Sequence, residues 1–306
     1  MDDVNSKKYV RDKIAPRFYG HDKLHSKYLP KIPVSVEREY TRVTNAYMKI
    51  VKEALEEELP KIKDVYKNER DAKVRADSMD DLLDMINKIF DRMQAKTDGK
   101  CEAFGIRNKL ENLANLTRKL TVREWKKAIK STLGLDIQED YYLGEFYKEA
   151  LERWTDENVS LIKTIPEETL GRMKTIIQDG YKQGKSTTRM IKQIQSTYGT
   201  SKRHASLIAR DQIAKLNSNI QKAQQQDAGI TEYIWYTSRD SRVRNSHKRL
   251  NGKKFKWSDP PIVDTKTGRR CHPGEDYQCR CIARPVFSKD VNLPVDPKFK
   301  VTIKGV

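Results

Sequence analysis

The chain has 306 residues, enough for two compact domains, and 34% of them are charged, which favours solvated helices over one deeply buried globule. Lysine and arginine number 61 against 43 acidic residues, and the net charge of +18 favours anionic partners such as nucleic acid. Residues 1–4 begin no secretion signal and no run of about 18 apolar residues occurs, so we expect neither export nor a membrane partner.

The amino-terminal part of the chain reads as a basic arm followed by helices. Residues 1–34 are polar and basic and are predicted to form the arm. A helical region is predicted over residues 35–155, because apolar residues recur at steps of three and four from Val36 onward. Its first helix is expected to end near Glu58, ahead of Pro60, since proline disrupts a helix interior.

Further helices are predicted between turn and capping signals. One spans about 102–119, and Thr121–Glu124 has the spacing of a capping box that opens the next helix. Pro166 is expected at the first turn of another helix. Two more helices, at 186–197 and 201–227, are expected to start from serine caps at their first residues.

The residue composition of the sequence changes beyond Gly229. Residues Tyr233–Thr237 favour a β-strand, and turn-forming residues become frequent, so a small mixed module is predicted at 231–287 within a domain of residues 156–287. Residues 288–306 are predicted to form an extended tail. The fold class is therefore α+β: a mostly helical amino-terminal and middle region with a small mixed α/β module near the carboxyl terminus.

Basic residues concentrate in the last quarter of the chain. Residues 231–306 carry 17 basic and 8 acidic side chains. Eight of the basic residues lie close together among aromatic residues, and we predict that they contact double-stranded DNA without sequence preference. They are Arg239, Arg242, Arg244, Lys248, Arg249, Lys253, Lys254 and Lys256. The alternative is that the cations only keep the protein soluble and that the aromatic residues form a core.

Cysteine and histidine cluster in the same module. Three of the four cysteines fall within eleven residues, a poor framework for disulfides, which indicates a reduced, cytoplasmic site of synthesis. The candidate ligands for a structural zinc ion are His247, His272, Cys279 and Cys281, with Cys271 as a fifth. The favoured alternative has no cofactor, with the cysteines packed as small apolar groups and His247 hydrogen-bonded to a turn. A zinc knuckle has the spacing Cys-x-x-Cys, whereas one residue separates Cys279 from Cys281, and we expect these two to point to opposite faces of a strand.

Catalysis has little support in the sequence. His247 with Asp240 and Glu275 is the one grouping that resembles a base with its orienting acids. The chain contains no glycine-rich phosphate loop, nucleophile elbow or HExxH sequence. We therefore expect no enzyme, and keep a nuclease or toxin-like enzyme in the module as the alternative.

Several blocks of residues occur in a fixed order and together cover about residues 150–287. They include Asn158–Pro166 and Ala205–Gln212. The most specific block contains Trp235, Asp240, Arg242, His247, Gly252, Pro273, Gly274, Cys279 and Cys281. In this order the blocks resemble the phage Mu protein F family of head morphogenesis proteins. Where some members carry a Cys-x-x-Cys pair, this chain has Arg244 and His247, so one ligand of such a pair is absent.

The resemblance implies a minor head protein of a tailed double-stranded DNA phage. Such a protein is made in the host cytoplasm, enters the head with the portal protein or a scaffolding protein, and stays in the capsid interior near the portal. It assists head assembly and the packaging or delivery of DNA. In this interpretation the helical region at 35–155 docks on the portal and the basic module contacts DNA.

Overall fold

The structure, a computed structural model, describes residues 3–71, 78–183 and 185–295, and is 66% helical. The helices within these ranges are α1 (Asp3–Ile14), α2 (Val34–Asp71), α3 (Ser78–Ala103), α4 (Ile106–Leu133), α5 (Glu145–Lys182), α6 (Thr187–Asp227) and the short α7 (Asn245–Lys248). None of these described helices combines the length and apolar character that crossing a membrane requires.

The strands form a four-stranded antiparallel sheet and a separate two-stranded ribbon. Their bounds are β1 (Lys23–His25), β2 (Glu232–Tyr236), β3 (Lys254–Lys256), β4 (Ile262–Asp264), β5 (Arg269–Arg270) and β6 (Ile282–Ser288). The sheet has the order β1-β6-β2-β3, and β4 pairs with β5 in the ribbon. The α+β class and the predicted strand after Gly229 are confirmed. The part of the predicted tail at 296–306 lies outside the described residues.

The chain divides into two compact units, each assembled from separate stretches of sequence. One draws its described residues from Met1–Glu37, Leu113–Trp154 and Arg210–Val306 and holds all the strands. The other draws its described residues from Arg38–Asn112 and Thr155–Ala209 and is helical. We call the first the sheet unit and the second the helical unit. The linear domain boundaries given by the sequence stay predictions.

The sheet unit has a core in which α1, α4 and β6 meet. Val10 and Ile14 of α1 are fully buried, and so is Phe287 of β6. The ring of Phe287 stacks on Trp125 of α4 with 6.0 Å between the ring centroids. The indole N–H of Trp125 donates to the hydroxyl of Tyr142 at 2.8 Å, which satisfies a buried polar group. The amino-terminal segment is thus folded into this core.

Two helices continue through prolines that were predicted to limit them. α2 includes Pro60, and α5 includes Pro166. A proline inside a helix costs about 3 kcal/mol through the lost hydrogen bond and the steric clash. Burial continues past each proline, at Ile62 in α2 and at Leu170 and Met173 in α5, and burying one such side chain contributes about 1.5–3 kcal/mol. The predicted helix end before Pro60 and the predicted helix start at Pro166 are therefore wrong.

Two predicted helix starts also fall inside longer helices. Thr121 lies within α4, where its hydroxyl is 2.8 Å from the carbonyl oxygen of Thr117 and 2.9 Å from Oδ1 of Asn217. Thr121 therefore forms buried hydrogen bonds and does not cap a helix. Ser201 is buried inside α6, because the apolar face of that helix runs on without a break. The cap at Ser186 is confirmed, since its Oγ accepts a hydrogen bond from the backbone N–H of Arg189 at 3.4 Å.

Glu124 of α4 provides a test of the sheet unit. The carboxylate is buried and accepts hydrogen bonds from the Tyr28 hydroxyl at 2.5 Å, the Lys31 backbone N–H at 2.9 Å and the Lys127 ammonium at 2.8 Å. Burial raises the pKa of Glu124, but these three donors outweigh burial and hold it below its ordinary value. The charged form is therefore stabilised by folding.

We expect Glu124→Gln to lower the free energy of unfolding by about 1–3 kcal/mol at pH 7, because a charged acceptor is lost. A depressed native pKa contributes stability above the unfolded value and loses it as the pH falls, so the deficit should shrink below about pH 4.5. Urea unfolding at pH 7 and pH 3.5 measures this. Glu145→Gln, which removes an exposed ion pair with Lys148, is the control and should change little. An equal deficit at both pH values would contradict the assignment.

Candidate functional site

A buried carboxylate, that of Asp276, organises the module. Its Oδ2 accepts hydrogen bonds from Nε2 of His247 and Nη1 of Arg244, each at 3.0 Å, and its Oδ1 lies 3.1 Å from Nη2 of Arg269. Arg244 immediately precedes α7 and His247 lies within it, so one helical turn brings both side chains to the same carboxylate. Only 1% of the Asp276 side chain is exposed, so its charge is compensated by these cations.

His247 also contacts two thiols on its other ring nitrogen. Nδ1 lies 3.5 Å from Sγ of Cys279 and 3.6 Å from Sγ of Cys281. All three side chains are buried, and their donor atoms lie within 4.8 Å of one another. The thiols precede β6 and follow Gln278, whose φ is +52°, so they belong to a turn and not to a strand. The expectation that they point to opposite faces is wrong, since residues two apart share one face even in a strand, and both thiols reach His247.

The cluster perturbs the protonation of its members. Burial lowers the pKa of His247, but its contacts with Cys279 and Asp276 outweigh burial and raise it. A hydrogen bond from Cys281 and contact with His247 hold the pKa of Cys279 well below its ordinary value, while the pKa of Cys281 is raised. Burial raises the pKa of Cys271 to about 12. Cys279 is thus the thiol that most readily becomes a thiolate.

The fourth predicted ligand, His272, lies elsewhere in the module core. Its Nδ1 is 2.8 Å from the hydroxyl of Tyr233, and its ring packs against Trp257 with 4.8 Å between centroids. Burial lowers the pKa of His272. It does not join the group formed by His247, Cys279 and Cys281. The structure thus brings together three of the four predicted metal ligands, with Cys271 packed beside them.

The acids that were grouped with His247 as catalytic candidates have other partners. Asp240 closes a short turn, accepting the backbone N–H of Arg242 at 2.9 Å and the side chain of the same arginine at 3.1 Å. Glu275 accepts the backbone N–H of His272 at 2.6 Å and lies 3.5 Å from Lys222. The carboxylate on His247 is that of Asp276. Asp240, Glu275 and Asp276 thus have different partners, and of the three it is Asp276 that contacts His247.

All eight basic residues predicted to contact DNA are exposed. Three of them have an acidic partner: Arg242 with Asp240, Arg244 with Asp276, and Lys254 with Glu232 at 4.0 Å. Arg239 lies over the ring of Tyr236 at 4.9 Å. The remaining four, which form no ion pair with other described residues, are Lys248, Arg249, Lys253 and Lys256. Most of the eight charges are therefore open to solvent.

The aromatic residues that lie among these cations in the sequence are mainly buried in the core of the module. Tyr233 and Trp235 are fully buried, and Trp257 is 6% exposed. They form one small apolar cluster with Phe255 at its edge. Alternation along β2 explains this, because Tyr233 and Trp235 share its inner face. The alternative given by the sequence, a core role, is correct for these residues.

The outer face of the four-stranded sheet carries a group of basic residues, of which Lys254 and Lys256 were predicted from the sequence and the other three were not. Register places Lys254 and Arg284 on either side of Ile234, with Lys256 beside Glu232. β1 adds further residues to the same face. We call this group the basic sheet face: Lys23, His25, Lys254, Lys256 and Arg284. Burial and the charges of Arg284, Lys254 and Lys27 lower the pKa of His25, which indicates a positive surface.

The turn that contains Pro273 and Gly274 packs the module against α6. The Ser218 hydroxyl donates to the carbonyl oxygen of Pro273 at 2.5 Å, and Asp211 accepts the backbone N–H of Gln278 at 2.7 Å. Gly274 has φ of +87°, and a Cβ there would lie 2.7 Å from the Cβ of Ser218. Gly252 has φ of +79° with open space around it. Only the first glycine is required for close packing.

Comparison with known proteins finds a family match to one segment of the chain. Residues 172–284 match the family described as Phage Mu protein F like protein, so the resemblance is confirmed over that segment. A protein of Haemophilus influenzae described as "Uncharacterized protein" is 31% identical over 165 residues. That similarity covers 54% of this chain but only 36% of the relative, so the chain spans about a third of its length. No solved structure matches the chain.

The two glycines provide a matched pair of substitutions. Gly252→Ala should cost about 1–2 kcal/mol, because alanine is strained in the left-handed region. Gly274→Ala should cost about 1–3 kcal/mol more, since its Cβ also collides with α6. Urea unfolding followed by tryptophan fluorescence compares them. Equal losses for the two variants would show that Gly274 is not needed for the close approach to Ser218.

Proposed function

We propose that this chain, whose residues 172–284 belong to the phage Mu protein F-like family, is a minor head protein of a tailed double-stranded DNA phage. It acts inside the capsid, near the portal protein, and enters with the portal or with scaffolding protein during assembly. It has no enzymatic activity and contacts DNA without sequence preference. The observation that carries the DNA part is the concentration of exposed cations on the module.

Nonspecific DNA contact is supported by how these cations are arranged. Lys248 ends α7 and Arg249 follows it, while Lys254 and Lys256 lie in β3 on the basic sheet face. Exposed cations of this kind neutralise phosphates and release counterions, and each contact is individually weak. α7 has only four residues, too short to read bases as a recognition helix does. Binding of this kind can form during packaging and break at ejection.

An exposed apolar surface supports docking on the portal. Tyr141, Leu143 and Phe146 are 46%, 53% and 63% exposed and lie close together in the sequence just before and within α5. They fall in the region predicted to dock on the portal. Grouped exposed aromatic and aliphatic residues commonly mark a protein interface. This short segment is our candidate for the portal contact.

The surroundings of His247 support the absence of catalysis. Its ring is 2% exposed, and both nitrogens are engaged, by Asp276 on one side and by the two thiols on the other. A general base must reach the proton of a substrate or a water molecule. His247 is enclosed in the module core, which favours a structural role over the alternative of a nuclease or toxin-like enzyme.

The DNA proposal predicts a charge-dependent affinity. We expect Lys248→Glu with Arg249→Glu to weaken binding to a random duplex by at least about tenfold at low salt, and to reduce the salt slope by about 2, since two phosphate contacts are lost. Fluorescence anisotropy over a series of salt concentrations measures both quantities.

The control for that experiment carries the same charge change on the helical unit. Lys182 and Lys192 are exposed there, and Lys182→Glu with Lys192→Glu should bind DNA almost as the unmodified chain does. If both double variants lose the same affinity, net charge alone governs binding and the module has no special role. Absence of any binding at low salt would remove the DNA part of the proposal.

The portal proposal predicts a loss of capture on polar substitution. Portal protein from the same genome should co-purify with the unmodified chain, and Leu143→Ser with Phe146→Ser should reduce that recovery at least about fivefold by removing apolar contact area. Ile262→Ser, which changes another exposed apolar residue, should retain recovery. Unchanged capture by the Leu143 and Phe146 variant would place the contact elsewhere.

A further inference from the structure

The three donor atoms of His247, Cys279 and Cys281 have the spacing of a tetrahedral metal site. Zinc lies about 2.3 Å from a thiolate sulfur and about 2.0 Å from an imidazole nitrogen, so a tetrahedral angle places sulfur and nitrogen about 3.5 Å apart. The observed Nδ1 to Sγ distances are 3.5 Å for Cys279 and 3.6 Å for Cys281. Both distances match those that a tetrahedral zinc ion requires, and all three donor atoms lie within 4.8 Å of one another.

The second partner of His247 suits the protonation state that a metal requires. Nε2 lies 3.0 Å from a buried carboxylate oxygen of Asp276, an arrangement in which Nε2 keeps its proton while Nδ1 binds a metal ion. Histidine ligands in metal sites are commonly held by a carboxylate in this way. Arg244 and Arg269 fix the position of Asp276 in turn.

Backbone amides also favour thiolate sulfur at the cluster. The N–H groups of Gly274 and Cys281 each donate to Sγ of Cys279 at 3.4 Å. Hydrogen bonds to sulfur stabilise the negative charge that a metal-bound cysteine carries. A set of two thiolates and one imidazole is borderline soft, and it selects zinc over magnesium or calcium.

We propose that His247 Nδ1, Cys279 Sγ and Cys281 Sγ bind one zinc ion that holds the module together. No other described histidine, cysteine or acidic side chain joins the group, so the fourth position of the tetrahedron would be filled from outside it. The ion links α7 to the turn that leads into β6. The apolar cluster of the module is small, so a metal link adds stability that its core does not supply alone. This assignment does not depend on the proposed role in the phage head.

Metal analysis of the purified full chain tests the site. Protein prepared under reducing conditions in zinc-containing medium should hold about one zinc per chain, and Cys279→Ser, Cys281→Ser and His247→Ala should each lose most of it. Cys101→Ser, which alters a buried cysteine of the helical unit, should keep its zinc. Less than about 0.2 zinc per unmodified chain after exposure to zinc, or equal zinc in all variants, would overturn the proposal.

A second set of measurements uses the unmodified chain and a variant that keeps all three ligands, because ligand substitutions can prevent folding. A strong chelator should lower the melting temperature, and added zinc should restore it. Cobalt in place of zinc should give the intense near-ultraviolet absorption of thiolate ligation. Asp276→Asn should keep the ligands but weaken zinc affinity by about 10–100-fold. A melting temperature indifferent to chelator, together with no thiolate absorption from cobalt, would overturn the assignment.

Discussion

The module depends on burying one negative charge with its compensating cations. Asp276 is almost inaccessible, and it would be costly to bury unless Arg244, Arg269 and His247 were placed around it. Those three residues come from a loop, a short ribbon and a four-residue helix, none of which has a hydrophobic core of its own. The carboxylate therefore fixes the mutual positions of segments that apolar packing alone would leave poorly determined. It also orients the imidazole that faces the two thiols.

This arrangement separates the inside of the module from its surface. Aromatic side chains and the His and Cys cluster occupy the interior, while lysines and arginines of the loop and β3 lie outside. Arg244 belongs to both groups, because it pairs with Asp276 and is still exposed. Ser218 of α6 supports the turn around Gly274 through its hydrogen bond to the carbonyl oxygen of Pro273. A packed interior with exposed external cations suits contact with a regular polyanion, for which exact side-chain placement matters little.

Local patterns in the sequence were sufficient for several features and misleading for others. The strand at Tyr233–Thr237 and the proximity of His247 to Cys279 follow from alternation and from residue density. The prolines gave wrong helix boundaries, because burial of apolar side chains along α2 and α5 outweighs the free-energy cost of a proline inside a helix. The positive φ of Gln278 turns both thiols toward one histidine, a backbone feature that no residue type in this position announces. The basic sheet face joins residues from both ends of the described chain, which no sequence window covers.

The pairing of β1 with β6 has a consequence for synthesis of the protein. Residues 23–25 are made before their partners at 286–288, and the segments that form most of the helices lie between them. The sheet therefore cannot close until residues 286–288 have been made, and its completion is a nonlocal, comparatively slow event. Until then the backbone of the early strand has no partner in the sheet. Completion of the basic sheet face thus waits for β6, after the helices have had the opportunity to form.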